Sequence, residues 1–261
     1  SAMSFNIARM VGPALGAALV AQVNVSAAWL VAMMMFMVSF WGLSRLTIQR
    51  DAPAAPSTSF VDQLVAGFRH LLGRSDLRLL LALTALNGLL GRTIIELLPA
   101  LSGQVLQGGS AELAVLVAMA GLGSVLGGLL VSRQAADLAR LMVLVCAAIA
   151  LAGLALISLQ WFAGLVGLAL WVSVLSIVTT VAGTGSQTLI QLTASAEYRG
   201  RVMSVWTMLA MGAPALGAAL LGAGVDGFGF SRVAVWTGGA GVVLVISFYA
   251  RRSRVFAGND P

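Results

Sequence analysis

Eight stretches of this chain, at 5–21, 26–45, 78–98, 112–132, 140–159, 162–190, 202–224 and 233–250, are apolar runs with scarcely a charge in them. A bilayer core about 30 Å thick is crossed by about 20 such residues in a helix, so each run is long enough to span. Backbone amides in hydrocarbon must pair within the protein, and segments of this length do so as helices; barrel strands would alternate over only about ten residues. The composition agrees, with 59% hydrophobic and 9% charged residues and a mean hydropathy of +0.98. Soluble domains carry about 25% charged residues, so a water-soluble enzyme or nucleic-acid binder is excluded. The expected fold is an all-α polytopic membrane bundle.

The residue types that are missing remove several chemistries. All 15 basic residues are Arg, and there is one His (His70) and one Cys (Cys146). A phosphate-cradling P-loop needs its Lys, and a structural zinc site needs about four Cys or His ligands. We therefore expect no cofactor, no metal, no nucleic-acid partner and no enzyme chemistry. Arg45, Arg50, Arg69, Arg74, Arg78, Arg133, Arg140, Arg199, Arg201, Arg251, Arg252 and Arg254 fall in alternate connections and the C-terminal tail, against Arg232 alone in the others. By the positive-inside rule the basic connections face the cytoplasm, as does the C-terminus. The expected location is a membrane, crossed many times.

Residues 46–77 form the long connection. It begins with a Pro- and Ser-rich stretch from Asp51 and continues with Phe60, Leu64, Phe68, Leu71 and Leu72 at helical spacing, which predicts an interfacial helix. The layout is then 1–45 as two helices of a first bundle, 46–77 as linker, 78–250 as a six-helix bundle and 251–261 as tail. A duplication supports it: PALGAAL occurs at 13–19 and again at 214–220, with Met10 matching Met211. The copies lie in the first and seventh spans, six crossings apart, so the repeat is parallel, a construction used by one large class of secondary transporters. Four further helices are then expected ahead of Ser1.

These residues carry a resemblance. Gly12-Pro13-Ala14-Leu15-Gly16 resembles the glycine-proline motif in the fifth helix of major facilitator superfamily antiporters. The run Gly128 to Arg133 is similar to that superfamily's conserved loop motif, with Ser132 where an Asp is usual. Glu96-Leu-Leu-Pro99 and Arg199 to Ser204 resemble the branch that includes the bacterial enterobactin exporter. The resemblance covers helices five to twelve of the superfamily fold, and implies secondary transport, export and coupling to protons.

Ionisable groups within spans are expensive and hence candidates for function. Arg92 and Glu96 sit four apart on the third span and can pair across one turn, either facing a cavity or snorkelling at the interface. On the sixth span Ser173, Ser176, Thr180, Thr184, Gln187 and Gln191 recur at spacings of three and four, a stripe suited to a wet cavity or to helix–helix hydrogen bonding. Gly12 with Gly16, and Gly123 with Gly127, are GxxxG pairs that permit close helix approach. Pro13 and Pro214, with Gly217, mark equivalent bends in the two repeats. Gly128, Arg133, Arg199 and Arg201 are candidates at the cytoplasmic surface.

The sequence thus points to a proton-coupled exporter of small amphipathic molecules such as drugs or siderophores, working by rocking of two bundles, with membrane lipid, substrate and protons as partners. A lipid or lysophospholipid flippase and a non-transporting membrane scaffold are the alternatives.

Overall fold

The structure is a computed structural model that describes residues 19, 23–45, 71, 73–134, 137–162, 164–195 and 197–256. Among these residues there are helices and no strands. In chain order they are α1 (Val25–Ser44), α2 (Ser75–Asn87), a π-turn (Gly88–Arg92), α3 (Thr93–Glu96), α4 (Leu98–Val105), α5 (Ser110–Gln134), α6 (Leu138–Ser158), α7 (Gly164–Thr193), α8 (Arg199–Phe228) and α9 (Phe230–Phe256). Seven candidate spans result, because α2, the π-turn and α3 run on as one crossing. All of the first apolar segment but Leu19, and most of the linker, with Gly12, Pro13, Gly16, Phe60, Leu64 and Phe68, lie outside the described residues. The third span begins at Ser75, three residues before the boundary expected from hydropathy, and α9 continues to Phe256.

Local chemistry sets several of the ends. Asn24 caps α1 by accepting from the Ala27 amide at 2.8 Å, and Asp137 caps α6 by accepting from the Arg140 amide at 3.0 Å. Spans α8 and α9 are separated by Gly229 alone, at φ 80° and ψ 153°. That region of backbone space is essentially glycine's own, so a one-residue reversal between two crossings requires a residue without a Cβ.

The six spans from α2 to α9 form one bundle in which α7 is central, packing on α5, α6 and α2, while α6 also packs on α9. Leu77, Leu80, Leu83, Leu141, Ile149 and Leu175 are fully buried between them. In lipid, apolar burial does not drive helices together, so close backbone approach and interhelical hydrogen bonds must. Both are present. A Cβ at Gly127 would stand 2.6 Å from the Ile177 carbonyl oxygen on α7, and one at Gly153 would stand 2.8 Å from the Gly238 carbonyl oxygen on α9. The Trp171 indole of α7 donates to the Ala155 carbonyl of α6 at 2.9 Å. By contrast, among the described residues no side chain of α1 is buried: Trp29, Met33, Met34, Phe36 and Trp41 are all exposed.

Candidate functional site

One wall of the bundle is cut by a cavity of about 790 Å³, built from α2 with its π-turn and α3, from α7 and from α8. Thr84, Asn87, Gly88, Arg92 and Glu96 line it from the first of these. On a 3.6-residue helix, positions four apart drift about 40° per step, so 84, 88, 92 and 96 would fan over about 120°. The π-turn reduces that spread. Its wider winding closes with the Thr93 amide donating to the Gly88 carbonyl, five residues back, and returns Arg92 and Glu96 toward the face that carries Asn87. Glycines at 88 and 91 weaken the α-helical preference there, and the Thr93 hydroxyl holds the turn by donating to Gly88 O at 2.8 Å and to Pro214 O on α8 at 3.3 Å.

The α7 wall is the polar stripe, and the stripe divides in two. Thr180, Thr184, Gln187 and Gln191 line the cavity, joined by Thr179 and Thr188. Ser176 does not: it is 2% exposed and donates to the Ala120 carbonyl of α5 at 2.6 Å, with Ser124 Oγ 3.0 Å away. Thr180 stands at the junction, on the cavity wall yet donating to Ser124 Oγ at 3.3 Å. The division follows from the Gly123–Gly127 seam, where α5 and α7 meet so closely that the upper hydroxyls serve the helix pair. Beyond the seam the same face of α7 opens onto space.

The α8 wall is mostly apolar: Trp206, Thr207, Ala210, Met211, Pro214, Ala215 and Ala218. Pro214 has no amide hydrogen, so the Ala210 carbonyl loses its helical partner on the cavity side of the helix. Opposite the proline, a Cβ at Gly88 would lie 2.7 Å from Ala213 Cβ and 3.1 Å from Pro214 Cδ. Gly217 lies directly against Thr93 Oγ1, and Leu89 O is 3.2 Å from where its Cβ would be. The proline and its following glycine thus form the seam between α8 and the π-turn.

Among the described residues, charge enters the cavity only as a pair. Arg92 donates to Glu96 Oε1 through Nε at 3.0 Å and Nη2 at 2.8 Å, with the two side chains 26% and 52% exposed. The rest of the polar lining is neutral. Among the described residues, two groups of the lining side chains are closed to solvent and without a hydrogen-bond partner, Asn87 Oδ1 and Trp206 Nε1. The Asn87 amide donates through Nδ2 to the Thr179 carbonyl at 3.2 Å, which fixes which atom of the amide is the unpaired one. A buried unsatisfied donor or acceptor costs about 1–3 kcal/mol.

The remaining predicted residues lie elsewhere. Gly128 is half-buried on α5; Arg133 is exposed near its end, and among the described residues it makes no ion pair. Ser132 donates to the Leu129 carbonyl of its own helix at 2.8 Å, so it does not reach across to a neighbour. Arg199 is exposed at the start of α8, and Arg201 lies 5.3 Å from the Tyr198 ring centroid, a cation–π contact. None of these five residues lines the cavity. Conversely, sequence reasoning passed over Asn87, Thr84, Trp206 and Thr93. The signal for the first two was the spacing from Thr84 through Asn87 and Gly91 toward Arg92. For Trp206 and Thr93 no signal exists without the fold.

A family model described as transmembrane secretion effector matches residues 1–258. No curated protein matches the chain.

Proposed function

Since the chain belongs to the transmembrane secretion effector family, of major facilitator type, and is a multi-pass membrane transporter, we propose that it is a proton-coupled exporter of small amphipathic molecules, working by alternating access. The observation that carries this reading is the cavity: a chain of apolar spans turns six threonines, two glutamines, an asparagine and one ion pair toward a single space. Polar side chains in hydrocarbon forfeit hydrogen bonds, so such a wall is retained where water or a solute passes. Its 790 Å³ is of the size that accepts a drug-sized molecule.

In this mechanism the bundle from α2 to α9 rocks against a second bundle to which α1 contributes, and the α2–α7–α8 wall meets the substrate near the midplane. The proline–glycine seam lets α8 pivot on the π-turn. The Arg92–Glu96 pair supplies the coupling. A proton on Glu96 removes its charge, weakens its hold on Arg92 and changes the field in the cavity; loss of that proton restores the pair. The basic ends of the spans and the C-terminus lie on the cytoplasmic side of a bacterial inner membrane.

The test is transport by the full-length protein in proteoliposomes under an imposed proton gradient. With Gln187→Leu and Gln191→Leu together, gradient-driven flux is expected to fall at least tenfold while insertion and elution profile stay those of the parent. Undiminished flux would remove the stripe from the mechanism. Flux of a lipid reporter rather than a soluble dye would favour a flippase instead.

A further inference from the structure

Away from the cavity, one ion pair is built into the core and has no part in the transport cycle described above. We propose that Arg74 and Asp76 form a rigid joint where the connection 46–77 enters α2, so that movement of the connection is delivered to the α2 crossing. The purpose of this joint rests on the transport reading; its existence does not.

Asp76 is 2% exposed, the one charged side chain in the core among the described residues. Acidic groups are almost never enclosed to this degree unless paired. Arg74 Nε donates to Oδ1 at 2.9 Å and Nη2 to Oδ2, and the Leu77 amide adds a bond to Oδ1 at 2.8 Å. A two-pronged contact of this kind fixes direction as well as distance. The other ion pairs among the described residues, Arg92–Glu96 and Arg140–Asp137, have carboxylates that are 52% and 45% exposed, so water can stand in for the cation. Asp76 has no such exchange, because removing Arg74 would leave a bare charge in the core. An acid in the first turn of a helix ordinarily needs no cation, being held by the free amides and the dipole while it stays in water. Asp76 departs on both counts.

The pair also spans a corner. Arg74 is extended, at φ −99° and ψ 108°, immediately before α2 begins at Ser75. A single non-helical residue ahead of a long helix is a natural swivel. The clasp from residue 74 to residue 76 closes it on one side. Leu71 closes it on the other: it is 3% exposed, shares the hydrophobic core with Leu77 and Leu80, and its carbonyl accepts from the Arg74 amide at 3.3 Å. From Asp76 the crossing runs on to Arg92, about 24 Å away at 1.5 Å per residue. A joint held in this way makes α2 a lever whose far part carries Asn87, Arg92 and Glu96 on the cavity wall. A loose joint would absorb the movement before it reached them.

The experiment is spin labelling of the full-length protein in lipid nanodiscs, in a Cys146→Ser background. Gly73→Cys carries the label, since position 73 is exposed and a Cβ there meets nothing within 4 Å. Leu122→Cys, at an exposed position of α5, is the control. Asp76→Asn is expected to shorten the rotational correlation time at position 73 by about threefold or more and to leave position 122 unchanged. In proteoliposomes the same substitution should lower maximal flux by about fivefold or more with KM within about twofold, because the wall that meets the substrate is intact while its drive is lost. Arg74→Gln should act in the same direction. It strands a carboxylate in the core, so Asp76→Asn decides alone if Arg74→Gln does not elute as a single species. Unchanged mobility at position 73, or equal loosening at position 122, would overturn the joint. Loosening at position 73 with undiminished flux would overturn the delivery of movement and leave the transport reading standing. Absence of gradient-driven flux in the parent would instead defeat the transport reading, and mobility at position 73 would still decide the joint.

Discussion

Replacing Gly217 with Ala tests how α8 is seated on the π-turn. The added methyl would fall on Thr93 Oγ1, with Leu89 O and Thr93 Cβ each at 3.2 Å. Thr93 cannot turn its hydroxyl away cheaply, because that oxygen donates to Gly88 O and lies within reach of Pro214 O. Interhelical hydrogen bonds in membranes are worth about 0.6 kcal/mol each, and overpacking a tight interface costs about 1–3 kcal/mol. Gly217→Ala is thus expected to destabilise the bundle by about 2 kcal/mol. Thr93→Ala alone loses those bonds and opens a small gap, for about 1–2 kcal/mol. Combined, the new methyl occupies the space vacated by the hydroxyl, and the pair should cost about 2 kcal/mol rather than the sum of about 3–4. The coupling of about 1–2 kcal/mol is measurable by reversible unfolding in mixed micelles with increasing dodecyl sulfate. Additivity within about 0.5 kcal/mol would mean that the two residues do not share this contact, and the seam as described would be wrong.

Two further expectations follow from neighbouring contacts. Gly127→Val places side-chain atoms against the Ile177 carbonyl and Thr180, and should separate α5 from α7, lowering the thermal midpoint in detergent by several degrees; an unchanged midpoint would contradict the close seam. Glu96→Gln should change stability by less than about 1 kcal/mol, since the pair is partly exposed, yet remove the dependence of flux on the proton gradient. Retained gradient dependence would exclude Glu96 as the coupling group.

Much of the architecture was legible because the bilayer makes length and hydropathy decisive. The segments predicted at 112–132 and 140–159 lie within the spans Ser110–Gln134 and Leu138–Trp161, and the pairing of Arg92 with Glu96 follows from a four-residue spacing. The stripe on α7 was legible as a face but not as a destination. Ser176 and Gln187 share that face, and only the crossing at Gly123 and Gly127 decides that one bonds α5 while the other meets the cavity. The π-turn was invisible for a different reason. Its signals, two glycines and a threonine, are common in membrane helices, and the bond from Thr93 to Pro214 joins residues 121 apart in the chain. Asn87 escaped notice because an isolated carboxamide differs little from its neighbours until the structure reveals that one of its atoms has no partner.

Access to the two ends of the cavity tests the central claim most directly. In a Cys146→Ser background, Gln191→Cys sits near the C-terminal end of α7 and Glu96→Cys near the C-terminal end of the α2 crossing. Labelling each with an impermeant maleimide, from either face of oriented vesicles, with and without an imposed proton gradient, reports which end is open. Alternating access predicts reciprocal change, one position gaining reactivity as the other loses it. Simultaneous labelling of both, or reactivities that ignore the gradient, would contradict it.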